Sequence, residues 1–326
     1  MKVFITGANG FIGSNLVREL LKEGHRTYCL CRREEAAVSL AEQGADIVYG
    51  DLLNITNLGE YLQQCDVVIH VAGITKSINE SGYYRGNVQT TERLLQAIRQ
   101  HAPPHQRLVY ISSQAAAGPS IKASFSELDF ARPISAYGKS KRAAERAVLE
   151  LKDDRDVVIL RPSIVFGPRD REMLPLFKGA QLGIIVHAGF RYFPVNFIYI
   201  DDLVRAIILS ATHENAPGKI FFVHDGRSSS WKIMNKILAA ELNGRAITVP
   251  VLLQVLHFIC LISGSISRFR GKPSYMNPDK WLEIKQSGWL CSSSSIETEL
   301  GFSTDRKLSE AVALTANWYR KNKFIK

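Results

Sequence analysis

The chain has 326 residues, 46% of them hydrophobic and 22% charged, with a formal net charge of +10. That length and apolar content suffice for a large buried core, in one big α/β domain or one and a half, and exclude a disordered chain. The positive balance does not indicate nucleic-acid binding, because the sequence has neither a basic stripe with interleaved aromatics nor a recognised nucleic-acid motif.

In chain order, the first predicted elements are an apolar strand over Val3–Ile5 and a helix over Phe11–Leu21, with Gly7, Gly10 and Gly13 between them. Glycines at such a junction let the backbone turn sharply and approach a diphosphate, and the helix N-terminus offers it free N–H groups and a positive dipole end. The spacing is Gly-x-x-Gly-x-x-Gly, not the more common Gly-x-Gly-x-x-Gly, and Phe11 and Ile12 belong to the same loop. No secretory signal pattern precedes the strand. The five cysteines (Cys29, Cys31, Cys65, Cys260, Cys291) are odd in number and lack disulfide or metal spacing, so a reducing, cytoplasmic compartment and no metal site are expected.

Further strands are predicted over Thr27–Arg32, Ile47–Gly50, Val67–Val71, Leu108–Ser112 and Val157–Arg161, with helices over Tyr84–His101 and Ser135–Lys152. Almost uniformly apolar strands alternating with helices imply a doubly wound, Rossmann-type α/β fold whose parallel sheet is covered on both faces. Ligands in such sheets lie at the carboxyl ends of the strands. The expected organisation is a dinucleotide-binding domain over 1–167, with 197–225 returning to the sheet through Phe197–Ile200 and Lys219–Val223. Residues 168–196 and 226–326 are expected to form a smaller substrate lobe.

Tyr137 and Lys141 are four residues apart and share a helix face, and Ser113 ends a strand 24 residues earlier. A free tyrosine, with a pKa of about 10, is a poor acid-base group at neutral pH. A neighbouring ammonium favours the phenolate and is expected to lower that value, while a serine hydroxyl can hold a substrate oxygen.

With these residues the chain resembles the extended branch of the short-chain dehydrogenase/reductase superfamily, the NAD-dependent epimerase/dehydratase type, over nearly its full length. The matching segments are Thr6–Gly13, Asp51-Leu52, His70–Gly73, Tyr110–Ser113, Tyr137–Lys141, Leu160–Pro162 with Phe166–Pro168, and Tyr199–Asp202. The resemblance implies a catalytic triad of Ser113, Tyr137 and Lys141, with Ser113 preferred over Ser112. It also implies diphosphate contacts from Gly7, Gly10 and Gly13 and adenine contacts from Asp51 and Leu52. Ala72, Gly73 and Pro162 would lie near the nicotinamide, with Lys141 on its ribose and Asn87 matching an asparagine frequent in this branch.

At the end of the second strand, where an acidic residue would select NAD, stand Cys31, Arg32 and Arg33. Guanidinium groups suit a phosphate monoester, so NADP is expected over NAD, with Arg32 as the main contact. Sugar-nucleotide enzymes of this branch typically carry an asparagine where this chain has Ile164. The segment instead resembles dihydroflavonol-reductase-like and 3β-hydroxysteroid-dehydrogenase-like groups, and Met173–Phe177 and the tail from Trp289 also resemble the second of these. The expected function is hydride transfer between nicotinamide and a ketone or secondary alcohol of an apolar substrate. The alternatives are a nucleotide-sugar epimerase, dehydratase or reductase, and a non-catalytic dinucleotide-binding regulator.

Val251–Ile262 is apolar apart from Gln254 and His257 and too short to span a bilayer comfortably. It reads as core, as a substrate entrance, or, with Arg268, Arg270 and Lys272 beyond it, as a membrane-surface contact over 251–272. A homodimer is left open.

Overall fold

The computed structural model describes residues 1–54, 58–304 and 306–326. Seven strands form the central sheet: β1 (Lys2–Thr6), β2 (Arg26–Cys31), β3 (Asp46–Tyr49), β4 (Val67–His70), β5 (Arg107–Ile111), β6 (Val157–Pro162) and β7 (Ile220–Val223). They run in the order β7-β6-β5-β4-β1-β2-β3, and every neighbouring pair is parallel. The chain winds outward from β1 to β3, then crosses to β4 and winds the other way. The switch point therefore lies between β1 and β4, where a crevice opens at their carboxyl ends.

Alternation along each strand divides the core between the two faces. Val3, Ile5, Val67 and Ile69 join one apolar cluster with Leu16, Val17 and Leu20 of the helix Phe11–Lys22. Phe4, Val68, Leu108 and Tyr110 join the other, with Leu94 and Ile98 of Thr90–His101 and Val148 of Ala136–Leu149. Each large apolar side chain so buried contributes about 1.5–3 kcal/mol, which is why these strands carry no polar alternation.

Of the two segments expected to return to this sheet, Ile220–Val223 does so as β7. Phe197–Tyr199 pairs instead with Ile164–Phe166 in a separate two-stranded sheet. β6 ends on Pro162, which has no N–H to give to a neighbouring strand. Two residues later Ile164 N–H donates to Asn196 at 3.3 Å. The segment expected as one helix over Tyr84–His101 starts with a wide π turn over Tyr84–Gln89 before the α-helix Thr90–His101. π turns recur at functional sites, and this one holds Asn87.

Much of the remaining chain joins the apolar cluster on one face of the sheet, through Phe177, Ile185, Leu238, Val312 and Tyr319. It contains the parallel pair Ile184–Ala188 and Ile247–Val251, and the helices Trp231–Leu242, Leu253–Arg270, Pro278–Ile284 and Leu308–Lys321. Among the described residues no helix is long and apolar enough to cross a membrane.

Candidate active site

The junction after β1 tolerates only glycine at two points. Gly7 has φ of +71°, and a Cβ there would lie 2.6 Å from the Ala72 nitrogen. At Gly13 a Cβ would lie 2.1 Å from the Gly7 carbonyl oxygen. Gly10 N–H donates to the Gly7 carbonyl at 3.0 Å and closes the turn, and Gly10 then serves as N-cap of Phe11–Lys22 without a side-chain partner. That helix has no acidic residue in its first turn, so its N–H groups and positive end face a cleft of about 1990 Å³.

Gly7, Gly10, Phe11, Ile12, Arg32, Asp51, Leu52, Ala72, Gly73, Ser113, Tyr137 and Pro162 all line this cleft. Three of the residues singled out above act from behind it. Gly13 packs beneath the Gly7 turn. Asn87 is buried, accepting from Ile74 N–H at 2.7 Å and donating to Ser140 Oγ at 2.8 Å. It thereby fixes the 72–74 loop to the helix that bears Tyr137. Lys141 is buried against Gly73, where an added Cβ would lie 3.6 Å from its Nζ.

The end of β4 is tied to β1 by His70, whose ring nitrogens meet Thr6 Oγ1 at 2.6 Å and Thr91 Oγ1 at 2.8 Å. Burial, aided by the Lys141 charge, lowers His70 to about 3, so the ring is neutral and structural. Ser112 and Ser113, at the end of β5, diverge. Ser112 donates to Glu145 at 2.6 Å, whereas Ser113 lies within hydrogen-bonding reach of the Tyr137 phenol.

Burial pushes the Tyr137 phenol above its ordinary value, and the Ser113 hydrogen bond offsets part of that rise. The phenol therefore holds its proton at neutral pH. The expected lowering by Lys141 is not what the side chains show. The Lys141 ammonium donates to the Ile111 carbonyl at 2.6 Å and sits 4.4 Å from the centre of the Tyr110 ring.

Burial lowers Lys141 itself to about 7, against a smaller raising effect of Glu145. A lysine depressed from 10.5 makes the unfolded chain bind more protons between those values, so stability rises with pH across that window. Relative to Lys141→Met, the parent protein is expected to gain about 2 kcal/mol between pH 7 and pH 9. Parallel denaturant midpoints at the two pH values would show that the ammonium is not buried as described.

Sequence reading passed over the residues that hold the Tyr137 helix from the other side of the cleft. Asp279 accepts from the backbone N–H groups of Ala136 at 2.5 Å and Tyr137 at 3.2 Å. Ser135 caps Gly138 N–H at 3.0 Å and donates to Glu283 at 2.8 Å. Both carboxylates come from the helix Pro278–Ile284, more than 140 residues downstream, with no local pattern to announce the pairing. Arg169 was also missed. It lines the cleft with φ of +74°, on a loop held to Phe11–Lys22 by Asn15 Nδ2 donating to the Pro168 carbonyl at 3.3 Å.

These features fit a nicotinamide dinucleotide: a glycine cradle that any Cβ would fill, an uncapped helix N-terminus, and arginines at the cleft, Arg32 and Arg169 among them. Residues 3–223 match the NAD dependent epimerase/dehydratase family. The chain belongs to that family.

Within the family, a 4-hydroxy-2-methyl-3-oxo-4-farnesyl-3,4-dihydroquinoline-1-oxide ketoreductase of Stigmatella aurantiaca is 30% identical over 237 residues, 69% of each chain. A ceramide reductase of Caulobacter vibrioides is 32% identical over 206 residues, 63% of this chain and 59% of that protein. The chain thus spans about three fifths to two thirds of the length of these relatives. Among solved structures, MoeE5 in complex with UDP-glucose and NAD aligns with a TM-score of 0.78 at 26% identity, covering 99% of this chain and 100% of the other. The chain is an NAD(P)-dependent enzyme of the extended short-chain dehydrogenase/reductase superfamily.

Proposed function

We propose that the enzyme is an NADP-dependent oxidoreductase acting on a ketone or secondary alcohol of an apolar substrate. The observation that carries this reading is the apolar share of the cleft lining: Met173, Leu176, Phe193, Leu256, Trp289 and Trp318 line the same cleft as Ser113 and Tyr137, beside the charged Glu172, Lys280 and Glu283. Ile164 lines it too, where a sugar-nucleotide enzyme would offer an amide.

The dinucleotide, when bound, supplies or accepts the hydride. The turn at Gly7 and Gly10 and the helix N-terminus behind it hold the diphosphate. Arg32 meets the 2′-phosphate, and Arg169 adds positive charge over the loop. In the reducing direction Tyr137, protonated at neutral pH, gives its proton to the carbonyl oxygen while Ser113 donates a hydrogen bond to the same atom. Lys141, behind Gly73, would act on the nicotinamide-ribose side. The same reading takes the substrate from an apolar phase, through peripheral contact over residues 251–272.

Purified protein is expected to consume NADPH with long-chain or polycyclic ketones and to leave UDP-sugars unchanged. Turnover of UDP-glucose alone would favour the epimerase-type alternative. Arg32→Ala is expected to weaken NADPH binding about ten- to hundredfold, the value of a charge-assisted contact of about 1.5–3 kcal/mol, and to leave NADH binding near the parent value. Equal affinity of the parent for both dinucleotides would remove the NADP assignment.

A further inference from the structure

The helix Leu253–Arg270 is inverted relative to an ordinary surface helix. The side it buries holds mostly small residues, Cys260, Gly264 and Ser267, with Leu256 near its start. This side rests on the helix Pro278–Ile284, with His257 stacked on Trp281 at 4.7 Å and Gly264 packed against Pro278. The side it exposes is the greasy one. Val255, Phe258, Ile259, Ile262, Ile266 and Phe269 follow helical spacing along one stripe, with Phe258 63% and Phe269 93% exposed.

The adjoining strands extend the pattern. Ile184 opposite Ile247 and Val186 opposite Val249 are cross-strand pairs whose side chains are exposed. A soluble chain rarely leaves so much contiguous apolar surface uncovered.

Charge says what covers it. From Leu242 to Pro278 there is no Asp or Glu, while Arg245, Arg268, Arg270 and Lys272 are all exposed. A hydrophobic stripe with basic residues at its end and no acid within the segment matches an anionic lipid surface, into which such a helix sinks without spanning. The same elements border the cleft: Leu256 and the strand Ile184–Ala188 line it.

We propose that this face docks on an anionic bilayer and presents the mouth of the cleft to it, so that a lipophilic substrate enters from the membrane and not from water. The proposal rests on the apolar-substrate reading for the identity of the cargo. Docking itself needs only the stripe and the basic residues.

The test is co-sedimentation of the full chain with phosphatidylcholine vesicles, with and without phosphatidylglycerol. It is run beside Phe258→Ser/Phe269→Ser and Arg268→Gln/Arg270→Gln, with thermal melts as folding controls. The parent is expected to bind the anionic vesicles, and more weakly as salt rises. At about 1 kcal/mol per basic residue, the arginine pair is expected to lose about thirtyfold in affinity, and the phenylalanine pair to lose binding outright. Both variants are expected to melt like the parent and to reduce a water-soluble ketone at the parent rate.

No parent binding, or equal binding to neutral vesicles, overturns the proposal. So does a dimer by sedimentation velocity that Phe269→Ser dissociates, since a second copy would then cover the face. Absence of ketone reduction with vesicle binding intact would count against the proposed chemistry and not against the docking.

Discussion

Tyr137→Phe is expected to lower kcat by about 10²- to 10⁴-fold while dinucleotide affinity stays near the parent value. The change removes one hydroxyl and little else. The ring keeps its packing, with the Tyr83 ring centre 6.1 Å away, and the backbone N–H held by Asp279 is untouched. What is lost is the proton that burial keeps on the phenol and the partner of Ser113. Single-turnover reduction with NADPH, beside a fluorescence titration of the dinucleotide, separates chemistry from binding. Near-parent turnover would place the proton donor elsewhere.

Glu145→Ala is expected to have the largest effect on stability, a loss of about 3–5 kcal/mol, out of a total of about 5–15 kcal/mol for a typical fold. Glu145 is fully buried behind the end of β5, and Arg161 is 2% exposed. The guanidinium meets both carboxylate oxygens, through Nε at 2.9 Å and Nη2 at 2.8 Å, and Ser112 and Arg142 complete the set. Truncation strands the Arg161 charge against Phe222 in the core.

Burial alone would raise the Glu145 carboxyl, but Arg161, with the Ser112 and Arg142 hydrogen bonds, outweighs it and holds the group below its ordinary value. A depressed carboxylate stabilises above its unfolded pKa and loses that contribution as pH falls through the folded one. The parent is therefore expected to show an acid-side loss of stability that Glu145→Gln lacks. A denaturation midpoint for Glu145→Ala within about 1 kcal/mol of the parent would show that the pair is not closed in solution.

The strands and the glycine turn could be read in the sequence because each is local, an apolar run, a helix start, a glycine where a Cβ has no room, and their alternation with helices implied a parallel sheet. The helix boundary at Ser135 was readable for the same reason, a hydroxyl placed to cap Gly138 N–H. Long-range pairing was not. Nothing around Phe197 distinguishes a strand of the main sheet from one paired to Ile164, and the partner lies in another segment. Spacing put Tyr137 and Lys141 on one helix face but could not show that the ammonium turns to the Ile111 carbonyl. The apolar run at Val251 was visible, but not which of its sides faces out, since that depends on Pro278 and Trp281 filling the other.

The carboxylates of Asp279 and Glu283 give the enzyme an indivisible architecture. A nucleotide-binding half is often thought of as a detachable cassette to which different substrate caps can be fitted. Here the helix that carries Tyr137 is finished by the cap, so in the cassette alone the Ala136 and Tyr137 N–H groups lose their acceptor and only Ser135 still caps the first turn. Grafting a foreign cap for a new substrate would preserve the placement of Tyr137 only if the Asn277-Pro278-Asp279 corner came with it.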